Sequence, residues 1–303
     1  MEIREFEKRD LEEVLALCNH HMEYDSLSKE LFKEKIFDDP AHTSGYSLNL
    51  VSEKRNEILG FLSGVIRELQ EGTIGYIKLM VVHSSYRRKG IGRELYKRVE
   101  EFFLKQGVRE VRVYDVPFNY FMPGIDPRYT PAISFFETMG FKRFSDTANM
   151  IVELENQNLN TESHEKKLAN EGIVISRAES KERDEVLQFI EDNFPNWVFE
   201  VSNAFRFSPI TLHIARYRGK IKAFAAHNCN NFNTGWFGPM GTHVTLRGKG
   251  VGSILLKRCL GDMKKEGLKH ATIPWVGPIR FYSYYVNAVV ERVFWRYRKS
   301  LLY

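Results

Sequence analysis

One short pattern occurs twice in this chain, and its repetition limits the possible folds more than any other feature. Arg87-x-x-Gly90-x-Gly92 lies in YRRKGIGREL, and Arg247-x-x-Gly250-x-Gly252 lies in LRGKGVGSILL. A shift of 160 positions (87 to 247) places Arg87, Lys89, Gly90, Gly92, Leu95, Lys97, Arg98 and Gly107 on Arg247, Lys249, Gly250, Gly252, Leu255, Lys257, Arg258 and Gly267 without a gap. The period is far too long for a solenoid, so it reads as a duplicated domain. Each copy has an apolar strand, a glycine-rich basic loop, an amphipathic helix ended by glycine, and a further strand.

The loop has a chemical meaning of its own. Backbone N–H groups at a helix N-terminus are unsatisfied and carry partial positive charge, so they hold phosphate oxygens. Gly90, Gly92, Gly250 and Gly252 permit close backbone approach. Neither loop is a P-loop or a dinucleotide fingerprint, because G-x-x-x-x-G-K-[ST] and the third glycine of G-x-G-x-x-G are missing.

The chain has 303 residues, enough for two domains, and 43% hydrophobic against 27% charged residues marks it as globular. No apolar run is long enough to span a membrane, and the charged start MEIREFEKRD does not read as a signal peptide. Cys18, Cys229 and Cys259 are scattered, which points to reduced thiols, a cytoplasmic location and no zinc site. The histidines show no ligand spacing, so no metal is expected. The net charge of +5 is dispersed among acids, which favours a pocket for a polyanionic small molecule over nucleic acid.

The elements give an α+β fold of two tandem domains, each a mixed, mostly antiparallel sheet flanked by helices. The first domain is expected over 1–155. It has helices at Arg9–His20 and Ser26–Phe37 (N-caps Asp10 and Ser26), a three-strand meander, the loop, and a helix from Ile91 to Gln106. The polar stretch 156–171 reads as a linker and 172–303 as the second domain.

This order, with the R-x-x-G-x-G loop between the fourth strand and the third helix, resembles the GNAT superfamily of acyl-CoA-dependent N-acetyltransferases over nearly the whole chain. The resemblance implies acetyl-CoA as co-substrate. Carried over by position, Met240, Gly241 and Thr242 would face the pantetheine arm. Arg247, Gly248, Lys249, Gly250, Val251, Gly252 and Ser253 would hold the pyrophosphate. The first copy offers Met80, Val81 and Val82, then Arg87, Arg88, Lys89, Gly90, Ile91, Gly92 and Arg93. The family often carries a tyrosine acid in a segment like F-Y-x-x-x-G-F. The first copy has Phe136 there, with no proton to give, and the second has Tyr282, so the second copy is expected to be catalytic. Tyr297 on the last strand competes for the acid role. No carboxylate faces the site from either strand before a loop. Asn287 ends the Tyr282 helix, so either water relays the amine's proton or a carboxylate at 287 has been replaced. Turnover of Asn287→Asp separates the two.

Between the strand after the first loop and the next helix, the first copy has a longer connection than the second, DVPFNYFMPGIDPR. Its Asp115, Asn119 and Asp126 offer acceptors, and Phe118, Tyr120 and Phe121 offer flat faces, as a sugar requires. Trp197 and Trp236 in the second copy are candidates for an opposite wall. YFMPGID, WFGPMG and FYSYYV further resemble the tandem members that acetylate glucosamine and glucosaminides, which implies an amino-sugar acceptor and salvage of cell-wall sugars. Another amine acceptor, such as an aminoglycoside, a polyamine or a protein N-terminus, stays open, as do a non-catalytic acyl-CoA sensor and, more distantly, a nucleic-acid-binding protein. A monomer or homodimer is expected.

Overall fold

In the computed structural model, which describes residues 1–301, the chain divides into two units. One comprises Met1–Thr147 together with the chain's last residues from Phe294, and the other comprises Ala148–Val293. The N-terminal unit runs β1 (Glu2–Glu5), α1 (Leu11–His21), α2 (Lys29–Ile36), α3 (Pro40–Thr43), β2 (Ser47–Lys54), β3 (Glu57–Leu69), β4 (Gly72–Val82), α4 (Ile91–Lys105), β5 (Glu110–Val113), α5 (Thr130–Thr138) and the first part of β6 (Lys142–Glu153). Strands β1 to β4 are antiparallel neighbours, and β5 joins β4 in parallel. β3 is apolar and buried over most of its length, as a strand covered on both faces should be. α4 turns Ile91, Leu95, Tyr96, Val99 and Phe103 inward, one apolar stripe at helical spacing. Each of these side chains contributes roughly 1.5–3 kcal/mol by burial. Among the described residues, no helix is long and apolar enough to cross a membrane.

The C-terminal unit contains the rest of β6, then α6 (Glu162–Asn170), β7 (Ile173–Arg177), α7 (Arg183–Asn193), α8 (Val198–Ala204), β8 (Leu212–Tyr217), β9 (Lys220–His227), β10 (Phe237–Thr242), α9 (Val251–Lys265), β11 (His270–Ile273), α10 (Ile279–Val286) and the start of β12 (Val289–Ser300). Strands β7 to β10 form an antiparallel sheet, while β11 pairs with Met150–Glu153 of β6. The repeat is exact where the sequence shows it: α4 and α9 have 15 residues each, and β5 and β11 follow at the same shift. It continues at the front of each unit. Glu7 with Asp10, and Glu179 with Glu182, form capping boxes before the 11-residue helices α1 and α7.

The chain path departs from the expected boundaries at three places. The stretch read as a linker holds α6, with Leu168 buried and Glu165 paired with Arg258 at 2.5 Å. Ser28, not Ser26, caps α2, its hydroxyl accepting the Leu31 N–H at 3.0 Å. Most consequentially, the chain's last strand crosses the expected boundary. Its C-terminal part belongs to the N-terminal unit, where Arg298, Lys299 and Ser300 pair antiparallel with β5.

Candidate active site

β4 and β5 are paired only from Ile74 to Ile77 on β4, and β4 then continues to Val82 without β5 beside it. A bulge marks the separation. Ser63 faces Leu79 and Gly64 faces Ile77, so Lys78 is the extra residue. Opening a sheet this way leaves backbone groups of β4 available to a ligand. At the end of β4 the turn is tight. His83 Nδ1 accepts the Ser85 N–H at 3.2 Å, Arg87 Nε donates to the Val82 carbonyl at 3.2 Å, and Gly90 caps α4 with φ +89°. That φ is the left-handed region where glycine alone is unstrained.

The C-terminal unit repeats this turn group by group. His243 Nδ1 accepts from Thr245, Arg247 Nε reaches the Thr242 carbonyl at 3.2 Å, and Gly250 caps α9 with φ +79°. Thr272 bridges in parallel to Trp236, after which β10 runs on beside β9 but without β11 next to it. Met80 and Phe135 crowd Gly92, and Met240 and Phe281 stand over Gly252. Phe136 and Tyr282 are likewise buried at matching places. No atom comes within 4 Å of a Cβ built on Gly90 or Gly248, and only Ser253 Oγ reaches that distance at Gly250. Both turns are therefore open, with room for a diphosphate on their amides.

Beyond the turn the units differ. In the N-terminal unit a cleft of about 710 Å³ is lined by Val81, Val82, Arg87, Arg88, Gly90 and Gly92, with Met22, Tyr114, Tyr129 and Phe135 among the facing residues. The segment 87–93, RRKGIGR, holds four cations, whereas 247–253, RGKGVGS, holds two. Lys89 Nζ donates to the Ser85 carbonyl, while Lys249 is ion-paired with Glu171 at 2.7 Å. His21 lines the cleft with its ring 4.2 Å from that of His83, and its pKa is lowered by burial first and then by His83, Arg87 and His20. Counted from the end of α1 and of α7, Met22 corresponds to Phe194. The Phe194 ring stacks on Trp197 at 5.3 Å and would lie 2.8 Å from a Cβ on Gly241. Gly241 thus makes room for an aromatic cluster on β10.

A buried ionic cluster stands behind the bulge. Asp39 accepts from Arg67 at 3.0 and 2.7 Å, from the Ala41 N–H at 2.8 Å, from Asn119 at 3.2 Å, and from Lys78. Burial alone would push the Asp39 carboxyl up, but Lys78 and Arg67 outweigh it and hold it well below the usual range. Burial pushes Lys78 down to about 7 in spite of Asp39. A tether on the bulge residue fixes where the open part of β4 begins.

The other candidate residues fall as follows. Tyr297 belongs to the N-terminal unit, not to the second copy. It is 1% exposed, donates to Glu137 Oε1 at 2.9 Å, and does not line the cleft. Burial, then Glu137, pushes its hydroxyl up to about 12. Tyr282 is buried in the second unit, and burial raises its hydroxyl to about 12. Asn287 is exposed with φ +51° as the left-handed cap of α10. The long connection is packed inward: Asp115 binds Arg296 at 2.8 Å, Asp126 binds Arg128 at 2.6 Å, and Tyr120 and Phe121 are buried. Ile125 exchanges backbone hydrogen bonds with Trp295, so the connection clamps the last strand. Only its Met122 lines the cleft. Trp236 is half-buried at its bridge to Thr272.

Residues 8–141 and 176–283 each match the acetyltransferase (GNAT) family. The chain belongs to the GNAT acetyltransferase family. Among solved structures, it resembles a GCN5-related glucosamine N-acetyltransferase region in a fungal multi-domain GH3 β-N-acetylglucosaminidase. The TM-score is 0.84 at 20% identity, over 98% of this chain but 38% of that longer one. A GNAT protein from Sphaerobacter thermophilus matches with TM-score 0.70 and 17% identity, covering 99% of this chain and 95% of that one. A tandem GNAT protein of the clavulanic acid biosynthesis pathway also reaches 0.70, at 13% identity over 99% and 98%. This GNAT protein is therefore an acyltransferase with two copies of the fold. Sequence reasoning missed the exchanged last strand, the Asp39 cluster, and the cleft residues His21 and Tyr129. The segment VVERVFWRYRKS marks a strand by its β-branched and aromatic residues, but nothing in it shows which sheet it joins.

Proposed function

We propose that this protein transfers the acetyl group of acetyl-CoA to the free amine of an amino sugar, and that the N-terminal cleft is where it does so. The observation that carries the reading is the cleft itself, bounded by the end of β4 that β5 leaves uncovered and by the Arg87–Arg93 turn. Four cations and a helix N-terminus suit a diphosphate. Backbone N–H groups of β4 near Val81 and Val82 would hold the thioester oxygen as it gains charge. Phe194 and Trp197 occupy the corresponding side of β10, which supports a structural role for the second unit instead of the catalytic one expected from Tyr282.

The amino-sugar acceptor is supported by the glucosamine N-acetyltransferase likeness and by the aromatic residues that line the cleft, one of which, Tyr129, donates to the Asp25 carboxylate behind it. The test is thiol release from acetyl-CoA over an amine panel led by glucosamine and chitosan fragments. A higher kcat/KM for sugar amines than for aminoglycosides, polyamines and N-terminal peptides is expected. Turnover confined to a non-sugar amine would remove the acceptor assignment but leave the transferase.

A further inference from the structure

One wall of the N-terminal cleft carries a tyrosine held by two hydrogen bonds. Tyr24 and Asp25 lie between α1 and α2, and Tyr129 immediately precedes α5. The Tyr129 hydroxyl donates to Asp25 Oδ2 at 2.8 Å, and the Tyr24 backbone N–H donates to the Tyr129 oxygen at 3.0 Å. The rings of Tyr24 and Tyr129 meet edge to face with centroids 5.1 Å apart, which fixes the phenol. Tyr129 lines the cleft beside Tyr114 and Phe135. Asp25 is near enough to Tyr114 to raise its hydroxyl's pKa, after burial. In the second unit the position matching Asp25 is Trp197, four residues past α7 as Asp25 is four past α1. The pair therefore belongs to the unit with the cleft. Phe136 has no proton to give, and Tyr297 is turned to Glu137.

We propose that Tyr129 and Asp25 form a proton relay serving both ends of the transfer, a step that rests on the N-terminal cleft being the acetyl-CoA site. The acceptor nitrogen attacks the thioester carbon, so a C–N bond forms and the C–S bond breaks. The nitrogen's surplus proton passes to the Asp25 carboxylate. The Tyr129 hydroxyl gives its proton to the departing thiolate. Asp25 then returns its proton to the Tyr129 oxygen across their hydrogen bond. Amine and thioester become amide and thiol, and both residues regain their starting states. The Tyr24 N–H stabilises the phenolate oxygen while its proton is away.

The experiment measures kcat, KM and acetyl-CoA binding by calorimetry for Tyr129→Phe, Asp25→Asn and the double variant, with Tyr297→Phe alongside. Each relay variant should lower kcat by roughly 100-fold, the scale of general acid–base catalysis. Acetyl-CoA affinity should stay within about twofold. The double variant should be no slower than about threefold below the slower single one, because a relay is broken only once. Losses that multiply would overturn the relay, and so would a Tyr129→Phe rate near wild type with the loss moved to Tyr297→Phe. A wild-type protein that binds acetyl-CoA only where Arg247→Ser abolishes binding would instead overturn the cleft assignment, and the relay with it.

Discussion

Asp39→Asn tests whether the ionic cluster holds the open strand in place. The side chains of Asp39, Arg67 and Lys78 are all at most 3% exposed, so their charges have little water to fall back on. The asparagine keeps the size but replaces an acceptor oxygen with a donor, which then faces Arg67 and Lys78. Breaking a buried ionic group by removing one partner costs about 3–5 kcal/mol. For a unit of this size that lowers the melting temperature by about 10 °C. The pH dependence follows from the direction of each shift. Asp39 is held below its unfolded value, so its contribution is present above an unfolded pKa of about 3.9 and is lost as pH falls through the lower folded one. Lys78 is depressed to about 7, so below that pH it is a buried cation that needs Asp39, and above it the need fades. The penalty of the variant should therefore be larger at pH 5.5 than at pH 8.5. Urea titration read by hydrogen exchange of β4 peptides separates this unit from the other. A penalty under about 1 kcal/mol at pH 5.5, or one that grows with pH, would refute the reasoning. KM for acetyl-CoA should rise in the same variant, since the bulge at Lys78 loses its tether.

The two turns should differ in use: Arg87→Ser should raise the Kd for acetyl-CoA at least about tenfold more than Arg247→Ser, a difference of about 1.4 kcal/mol in calorimetry. His21, whose pKa is lowered by burial and then by His83, Arg87 and His20, should take up a proton more readily when phosphates bind beside it. Acetyl-CoA affinity should then strengthen as pH falls from 8 to 6 in wild type and stay flat in His21→Gln. A fragment of residues 1–155 lacks the strand that pairs with β5 and the Arg296 partner of buried Asp115, so it should show no cooperative unfolding on its own. A sharp thermal transition for that fragment would contradict the strand exchange.

The repeat was legible because it rests on local chemistry. A cation, two glycines and an apolar helix face at fixed spacing specify a turn wherever they occur, and α4 and α9 obey the 160-residue shift from end to end. What was not legible depends on distant residues meeting. Tyr297 reads as the second copy's last strand because it follows Tyr282 in the chain, yet the strand's far end leaves that unit and pairs with β5. The same displacement explains the long connection. Aromatics and carboxylates between two elements suggest a sugar wall, but the inserted strand needs a clamp, and Ile125 with Trp295 and Asp115 with Arg296 supply it. Asp39 and Lys78 lie 39 positions apart in the chain, and no periodicity announces that one caps α3 while the other bulges from β4.

The difference between the copies can then be argued from what fills each opened sheet. Both have the turn, the separated strands and the small residue under the methionine, so duplication preserved the frame. In one copy the residue after the first helix is Met22, at the edge of a cleft. In the other it is Phe194, stacked on Trp197 and packed against Gly241. Closing one site with aromatics stabilises that unit through apolar burial and ring contacts. On the proposed reading, that unit contributes a frame and the other binds substrates. Phe194→Met with Trp197→Asp would copy the residues of the open unit into the closed one, but the Lys249–Glu171 pair and the two missing arginines would still weaken its hold on a diphosphate. If the N-terminal cleft is the site, the two copies differ at both of its ends, in the space left for an acceptor and in the charge left for a donor.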